Sequence, residues 1–411
     1  QALGVAGVGR TMTPEQMERD LRPVLAQLKQ LGAPLCHYKV CSTFDSSPEI
    51  GSIGRAADIG RDVFAPPFVP LAVGAPALRR YVVFGNLFAG VGDDTFRLDR
   101  HPTMSRHPVT PMAESDLRRH LSHQTRQSIG LLDVVHLSGS PAEIDARFAR
   151  LRQSGAEIIL FDTLDATHLP TVGRLIWENR GNGPLFIVGS SGVGYALTAY
   201  WRQIKLIARP AAFPAPGRAA PIVVMSGSAA PPTAAQIEWA LAHDFDGIRL
   251  DAAKLVTPEL AGQEQDSAVR QALAALEAGR SVILYTALGP DDPAIQAARE
   301  QMRRLGFDDS GAGRRLGIPQ GKILRALVEK SGVRRVCVAG GDTSGYVARQ
   351  LGIYALEVLA PVSPGAPLCR ASSDKSELDG LEISLKGGQL GGLDFFGQIL
   401  NGGAEYSGRQ G

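Results

Sequence analysis

Three short apolar runs in the second half of the chain each stop at residues that can hold an anion. Ile222–Met225 is followed by Ser226-Gly227-Ser228, Val336–Ala339 by Gly340-Gly341-Asp342-Thr343, and Leu381–Leu385 by Lys386-Gly387-Gly388. Together these corners offer backbone N–H groups, hydroxyls and one ammonium, the donors a phosphate needs. Glycine lets the backbone close on the anion, a helix starting at the corner adds the positive end of its dipole, and Lys386 adds a full charge. A corner of this kind alone is more often just a turn after a strand, and the Gly-Gly-Asp-Thr corner reads equally well as a tight strand-to-helix turn with Asp342 or Thr343 as its cap. Three of them on neighbouring strands would make one cradle. No standard nucleotide fingerprint decides the matter. GIPQGKI (317–323) has Gly321-Lys322 but lacks the first glycine and the following Ser/Thr of a P-loop, and GVGYAL (192–197) has too few glycines for a dinucleotide site.

The first half carries a different chemistry. YKVCSTFDSSPEIGSIG (38–54) leaves an apolar run with Lys39, Ser42, Thr43 and Asp45 close together. Lys39 suits a carboxylate and the hydroxyls with Asp45 suit OH groups, so the loop fits a small polyhydroxylated anion; a polar turn before a helix is the alternative. RLDRHPTMSRHPVTPM (97–112) sets Arg100, His101, Arg106 and His107 among prolines. Such loops read anions, or simply connect elements. His120 and His123 have helical spacing and read as helix surface. Cys36 and Cys41 flank His37 with no second ligand pair, which argues for thiols of the core or near the site rather than for zinc.

These corners need a framework, and the pattern supplies one. Strand-sized runs recur at Leu35–Val40, Tyr81–Phe84, Asp133–Leu137, Glu157–Phe161 and Leu185–Val188, then at Ile222–Met225, Gly247–Leu250, Ser281–Tyr285, Val336–Ala339 and Leu381–Leu385. Helical patterns lie between them. In the first, Thr13 caps, Pro14 opens and Gly32 closes a helix whose stripe is Leu21, Val24, Leu25 and Leu28, with Pro23 inside it. Strands alternating with helices predict α/β folding: two three-layer α/β/α domains with largely parallel sheets. The stretch ARPAAFPAPGRAAP (208–221) reads as a Pro-rich linker, giving domains 1–207 and 222–411. Both are sized for their own core.

The bulk numbers exclude several classes. The 411 residues are 44% hydrophobic and 20% charged, a globular balance. The formal net charge of +2 points to no nucleic acid, and no apolar run approaches a membrane span. Four scattered cysteines suit a reducing, cytoplasmic setting.

Six stretches, HYKVCSTFDSSPEIGSIG, HPVTPM, GSSGVGYAL, SGSAAPPTAAQI, AGGDTSG and LKGGQLGG, occur in order over nearly the whole chain. In them the sequence resembles the four-carbon acid sugar kinases, formerly a domain of unknown function. The resemblance implies an ATP-dependent kinase with Mg²⁺, whose first domain binds an erythronate, threonate or 3-oxo-tetronate and whose second binds the nucleotide. It implies nucleotide contacts at Ser226, Ser228, Gly340, Gly341, Asp342, Thr343, Gly387 and Gly388, with Asp342 near the metal. It implies substrate contacts at Arg10, Lys39, Ser42, Thr43, Arg106 and His107, and a homodimer is compatible with it. Lys386 would hold the phosphates, and Asp45 would orient or deprotonate the attacking hydroxyl.

Three departures from the family pattern stand out. Members open with a strand ending in Asp-Asp-x-Thr-Gly, and this sequence is expected to begin after it; an aspartate of that motif is the other candidate base. Cys41 replaces the Asp of Asp-Ser-Thr-Leu-Arg-Gly, which marks a subgroup with a variant substrate loop. The Phe usual in the last Gly-rich loop is absent from KGGQLGG. The rival readings are a ligand-binding or regulatory member without catalysis, and an NAD-linked dehydrogenase.

Overall fold

A computed structural model describes residues 2–107, 109–208, 213, 215–307 and 312–403. Pro108 of the HPVTPM stretch and residues 209–212 and 214 of the Pro-rich stretch lie outside the described residues. The chain divides into two compact units, Gln1–Arg209 and Pro210–Gly411.

In the N-terminal unit the strands are β1 (Leu35–Lys39), β2 (Val69–Ala72), β3 (Arg80–Val83), β4 (Asn86–Val91), β5 (Asp94–Arg97), β6 (Ile129–Leu132), β7 (Ile158–Phe161) and β8 (Leu185–Gly189). Five form a parallel sheet in the order β1-β8-β2-β7-β6, and β3-β4-β5 form a separate antiparallel sheet. A parallel sheet is covered on both faces, and the core divides accordingly. Val69, Leu71, Ile158, Leu160, Phe186 and Val188 pack with Met17, Leu25 and Ile59 on one side. Ile159, Phe161, Leu185 and Ile187 pack with Phe148, Leu175 and Ile176 on the other.

The helix Pro14–Gln30 starts as expected: Thr13 and Gln16 form a reciprocal capping box, Pro14 is its first residue, and Gly32 follows at φ +66°. Two expected strands are corrected. Tyr81–Val83 joins the small antiparallel sheet, not the main layer. Val134–Leu137 is a short helix, because the Asp133 carboxylate accepts the His136 N–H and caps it just after β6 has ended. β2 went unseen because Pro70 argues against a central strand; its pairing with β8 begins only at Leu71, beyond the missing N–H.

The C-terminal unit is built on β9 (Val223–Ser226), β10 (Phe245–Arg249), β11 (Ser281–Tyr285), β12 (Arg335–Ala339), β13 (Ile353–Ser363), β14 (Ala366–Ser373) and β15 (Glu382–Lys386). The sheet order is β10-β11-β9-β12-β15-β14-β13, parallel from β10 to β15 and antiparallel beyond. Alternation along each strand feeds two cores. Val223, Met225, Val336, Val338 and Ile383 meet Leu276, Leu324 and Leu327, while Val224, Cys337 and Ala339 meet Ile237, Phe395, Phe396 and Ile399. The strands that carry the three anion-type corners are therefore adjacent and in step: Ala339 pairs with Ser226 on one side and with Lys386 on the other.

Candidate active site

In the C-terminal unit the three corners interlock at one end of the sheet. The Gly227 N–H donates to the Ala339 carbonyl (3.0 Å) and the Gly340 N–H to that of Lys386 (2.9 Å), so two of the three loops start from a bond to the neighbouring strand. A Cβ on Gly227 would lie 2.2 Å from Thr343 Oγ1, and one on Gly388 only 2.4 Å from Ser228 Oγ. Only glycine allows these approaches. Gly340 sits at φ +125°, a conformation other residues avoid, and from it the chain turns into the helix Gly341–Gln350. The first-turn N–H groups of that helix lack intrahelical acceptors and carry the positive dipole end. Gly341 and Asp342 are exposed there, whereas Thr343 is buried beneath them. Exposed first-turn amides of this kind can take an anion such as a phosphate.

Not every residue of the motif reaches the surface. Ser226 is fully buried, and its hydroxyl accepts the N–H of Ser228 (3.4 Å). It shapes the corner, and Ser228 is the more exposed of the two. Lys386 is a larger correction. Its side chain is buried at 1% exposure, its ammonium donates to Thr233 Oγ1 at 2.9 Å, and it lies 5.7 Å from the Phe395 ring centroid and 5.9 Å from that of Phe396. Burial lowers its pKa to about 8. It sits under the loop rather than in the cradle.

Sequence reasoning missed two glutamines. Gln236, 1% exposed, donates to the carbonyls of Leu390, Gly391 and Gly392 at 2.9–3.1 Å and pins the last Gly-rich loop. Gln320, fully buried, donates to the Ser226 carbonyl at 3.2 Å. Both lie on the buried faces of helices, where a polar side chain at an apolar position was the available signal.

In the N-terminal unit the structure gathers a second cluster. Arg10 pairs with Asp45 at 2.5 Å, and its guanidinium lies 3.4 Å from His107 Nε2. Thr43 donates to the other carboxylate oxygen of Asp45 at 2.5 Å, and the Asp45 side chain has no exposed area. His107 is oriented by the Thr110 N–H, which donates to its Nδ1 at 3.1 Å. The Arg10 backbone passes close to Gly51, which at φ +65° would carry a Cβ 2.5 Å from the Arg10 carbonyl and whose N–H donates to the Met12 carbonyl at 2.9 Å. Lys39 is exposed at the end of β1, paired in register with Gly189. Beyond Gly189 the helix Gly192–Gln203 begins after Ser191, and the buried Ser190 hydroxyl accepts the Gly192 N–H at 3.0 Å and donates to the Val73 carbonyl at 2.5 Å. Lys39 and a helix N-terminus thus leave adjacent strand ends. Ser42 is half-buried, and Arg106 is exposed one residue before His107.

Asp45 is therefore engaged on both oxygens, which suits holding Arg10 in place better than taking a proton. His120 is also corrected. It is not helix surface: its Nε2 lies 2.9 Å from Ser46 Oγ and 3.0 Å from Gln124 Nε2, and burial lowers its pKa to about 4. His123 is exposed as expected.

Burial also lowers the pKa of His37 to about 4. Each imidazole stays neutral in the fold but protonates when unfolded, so the unfolded chain binds more protons between about pH 4 and pH 6.5. Their stabilisation is full above that window and is lost as pH falls through it. Asp162, whose pKa burial raises to about 6, acts in the opposite sense between about pH 4 and pH 6 and offsets one of the two. The expected result is a melting temperature that falls as pH drops from 6.5 to 4, with a shallower slope in His120→Gln; thermal denaturation across that range checks it.

The comparisons divide the chain at the same place. Residues 1–197 match the family model described as a sugar-binding N-terminal domain, and residues 223–396 match the one described as a nucleotide-binding C-terminal domain. A 3-oxo-isoapionate kinase of Paraburkholderia graminis is 47% identical over 98% of this chain and 85% of its own length. A 3-oxo-tetronate kinase of Pseudomonas fluorescens is 31% identical over 97% of this chain and 86% of its own. The fold is shared with a solved Salmonella typhimurium LT2 protein, at 24% identity and a TM-score of 0.74, over 96% of this chain and 90% of that one. By these matches and by its architecture, the chain belongs to the four-carbon acid sugar kinase family.

Proposed function

We propose that this protein transfers the γ-phosphoryl group of ATP to a terminal hydroxyl of a small 3-oxo sugar acid of the four-carbon type. The observation that carries this reading is the interlocked set of Gly-rich corners at three adjacent strand ends. The kinase names of its relatives support it. Phosphoryl transfer asks a protein for alignment and charge neutralisation more than for covalent chemistry, and the two clusters divide those tasks.

The first-turn amides at Gly341 and Asp342, together with Ser228, Gly340, Gly387 and Gly388, hold the nucleotide phosphates. Thr343 braces the turn from below. Asp342 would hold Mg²⁺. A single exposed carboxylate beside a phosphate site fits that ion, which takes one or two carboxylates and completes its shell with phosphate and water. When bound, the cation supplies charge neutralisation at the phosphates.

Lys39 and Arg10 attract the carboxylate of the acid, Ser42 and His107 face its hydroxyl or oxo groups, and Arg106 adds positive charge at the rim. Asp45 and Thr43 keep Arg10 in position. We place the reaction in the cytoplasm, where ATP is available. Its four cysteines are free thiols, and among the described residues no helix is long and apolar enough to cross a membrane.

The test is ADP release with Mg²⁺-ATP and a panel of 3-oxo-tetronates, 3-oxo-isoapionate, erythronate and threonate. The expected result is ADP formed one-for-one with a phosphorylated acid, fastest with a 3-oxo acid. Melting shifts with the acids and no ADP release would overturn it.

A further inference from the structure

Beneath the last Gly-rich loop runs a chain of three groups that no direct role in binding explains. The Lys386 ammonium donates to Thr233 Oγ1 at 2.9 Å, and the Thr233 hydroxyl donates to the Gly388 carbonyl at 2.7 Å. Thr233 is fully buried and Lys386 nearly so. Among the described residues no carboxylate pairs with Lys386; its surroundings are the Phe395 and Phe396 rings and the buried Cys337 thiol. Keeping an ammonium in such a place is costly, and its one hydrogen-bond partner among the described residues, Thr233, faces the loop.

We infer that Lys386 and Thr233 are positioning residues that fix the Gly388 peptide, and with it the shape of the phosphate-facing loop. The inference rests on the proposed nucleotide role of that loop. A hydroxyl that accepts a hydrogen bond from an ammonium becomes a stronger donor to its own acceptor, so the charge acts on the Gly388 carbonyl through Thr233. A trans peptide sets its N–H opposite its C=O. Drawing the Gly388 carbonyl toward the helix Pro231–Leu241 therefore turns the Gln389 N–H away from that helix. Gln236 of the same helix holds the next three carbonyls but one, from Leu390 to Gly392. One helix thus grips the loop by its carbonyls and turns the Gln389 N–H to the far side, while the Leu390 N–H donates to the Gly387 carbonyl at 3.2 Å and closes the turn. Gly388 itself is locked against Ser228, so a change in this peptide moves two corners of the cradle.

The test uses Thr233→Val, which keeps the shape and loses the hydroxyl, Thr233→Ser, which keeps the hydroxyl, and Lys386→Met. Two readouts are taken on the full chain: steady-state kinetics with ATP and the acid varied separately, and hydrogen exchange of the amides from Gln389 to Leu393. Thr233→Val and Lys386→Met are expected to raise the KM for ATP about five- to twentyfold, about the worth of one ordinary hydrogen bond. The KM for the acid stays within about twofold, and the loop amides exchange about tenfold faster. Thr233→Ser restores both readouts. The inference is overturned if folded Thr233→Val keeps wild-type loop exchange. It is equally overturned if Lys386→Met cuts kcat about a thousandfold at unchanged KM for ATP while Thr233→Val is normal, because the lysine would then act on the transferring group itself. Absence of turnover in the wild type would sink the kinase reading alone, and the exchange result would still decide the relay.

Discussion

Gly341→Val raises the KM for ATP about 10- to 100-fold while the KM for the sugar acid and the melting temperature stay at their wild-type values. The figure corresponds to losing one charge-assisted hydrogen bond from the helix N-terminus, at about 1.5–3 kcal/mol. The selectivity follows from what surrounds this glycine. A Cβ placed on Gly341 meets nothing within 4 Å, and its φ is one an ordinary residue adopts. The valine therefore fits the protein without strain and fills only the space in front of the first helical turn. Its neighbours behave differently. Gly340→Val forces a β-branched residue to φ +125°, and Gly388→Val drives a methyl group into Ser228 and Ala230; both lose stability together with ATP binding. Kinetics with each substrate varied, calorimetric titration with ADP and thermal denaturation separate the three variants. Folded Gly341→Val with unchanged affinity for ADP would remove the phosphates from this corner. Asp342→Ala gives a companion result: if Asp342 holds Mg²⁺ as proposed, the Mg²⁺ concentration needed for half-maximal rate rises, since one of the cation's few protein oxygens would be gone.

The C-terminal corners were legible because they are local. An apolar run, two glycines and a helix start lie within ten residues, and the sequence order of such units allows few arrangements. The depth of a side chain is not local. Ile383 and Leu385 face one core, so the period of two puts Ser384 and Lys386 on the other face, beneath Phe395 and Phe396. An ordinary reading sends a lysine outward; a sheet covered on both faces leaves it no outward side. β13 and β14 went unseen although their turn was signalled. Pro364-Gly365 is the two-residue connection, with Gly365 at φ +80°. Arg10 and Asp45 are far apart in sequence, and neither residue type nor spacing predicts their pairing. Arg10 entered through family resemblance alone, and the close approach of Gly51 to its backbone is visible only in three dimensions.

That pairing sets the second large effect. Arg10→Ala is expected to lower kcat/KM for the acid about 100- to 1,000-fold, about 3–4 kcal/mol, and to lower the melting temperature as well. Removing one partner of a buried ion pair costs more than the pair itself contributes, since the carboxylate is left without its counter-charge. Asp45 has no exposed side-chain area, whereas Arg10 is 45% exposed, so the stability cost falls on the aspartate side and solvent moderates it. Stability and function can be pulled apart by removing both partners. Arg10→Ala with Asp45→Ala leaves no stranded charge, and its melting temperature recovers toward that of the wild type. Its kcat/KM for the acid is expected not to recover, because on the proposed reading the guanidinium beside His107 is what reads the anion. Lys39→Ala, at an exposed strand end, raises the KM for the acid with no change in melting temperature and none in the KM for ATP. Recovery of activity along with stability in the double variant would make the Arg10–Asp45 pair a brace of the fold and nothing more, and the carboxylate of the acid would then have to be read by Lys39 and the helix that begins after Ser191.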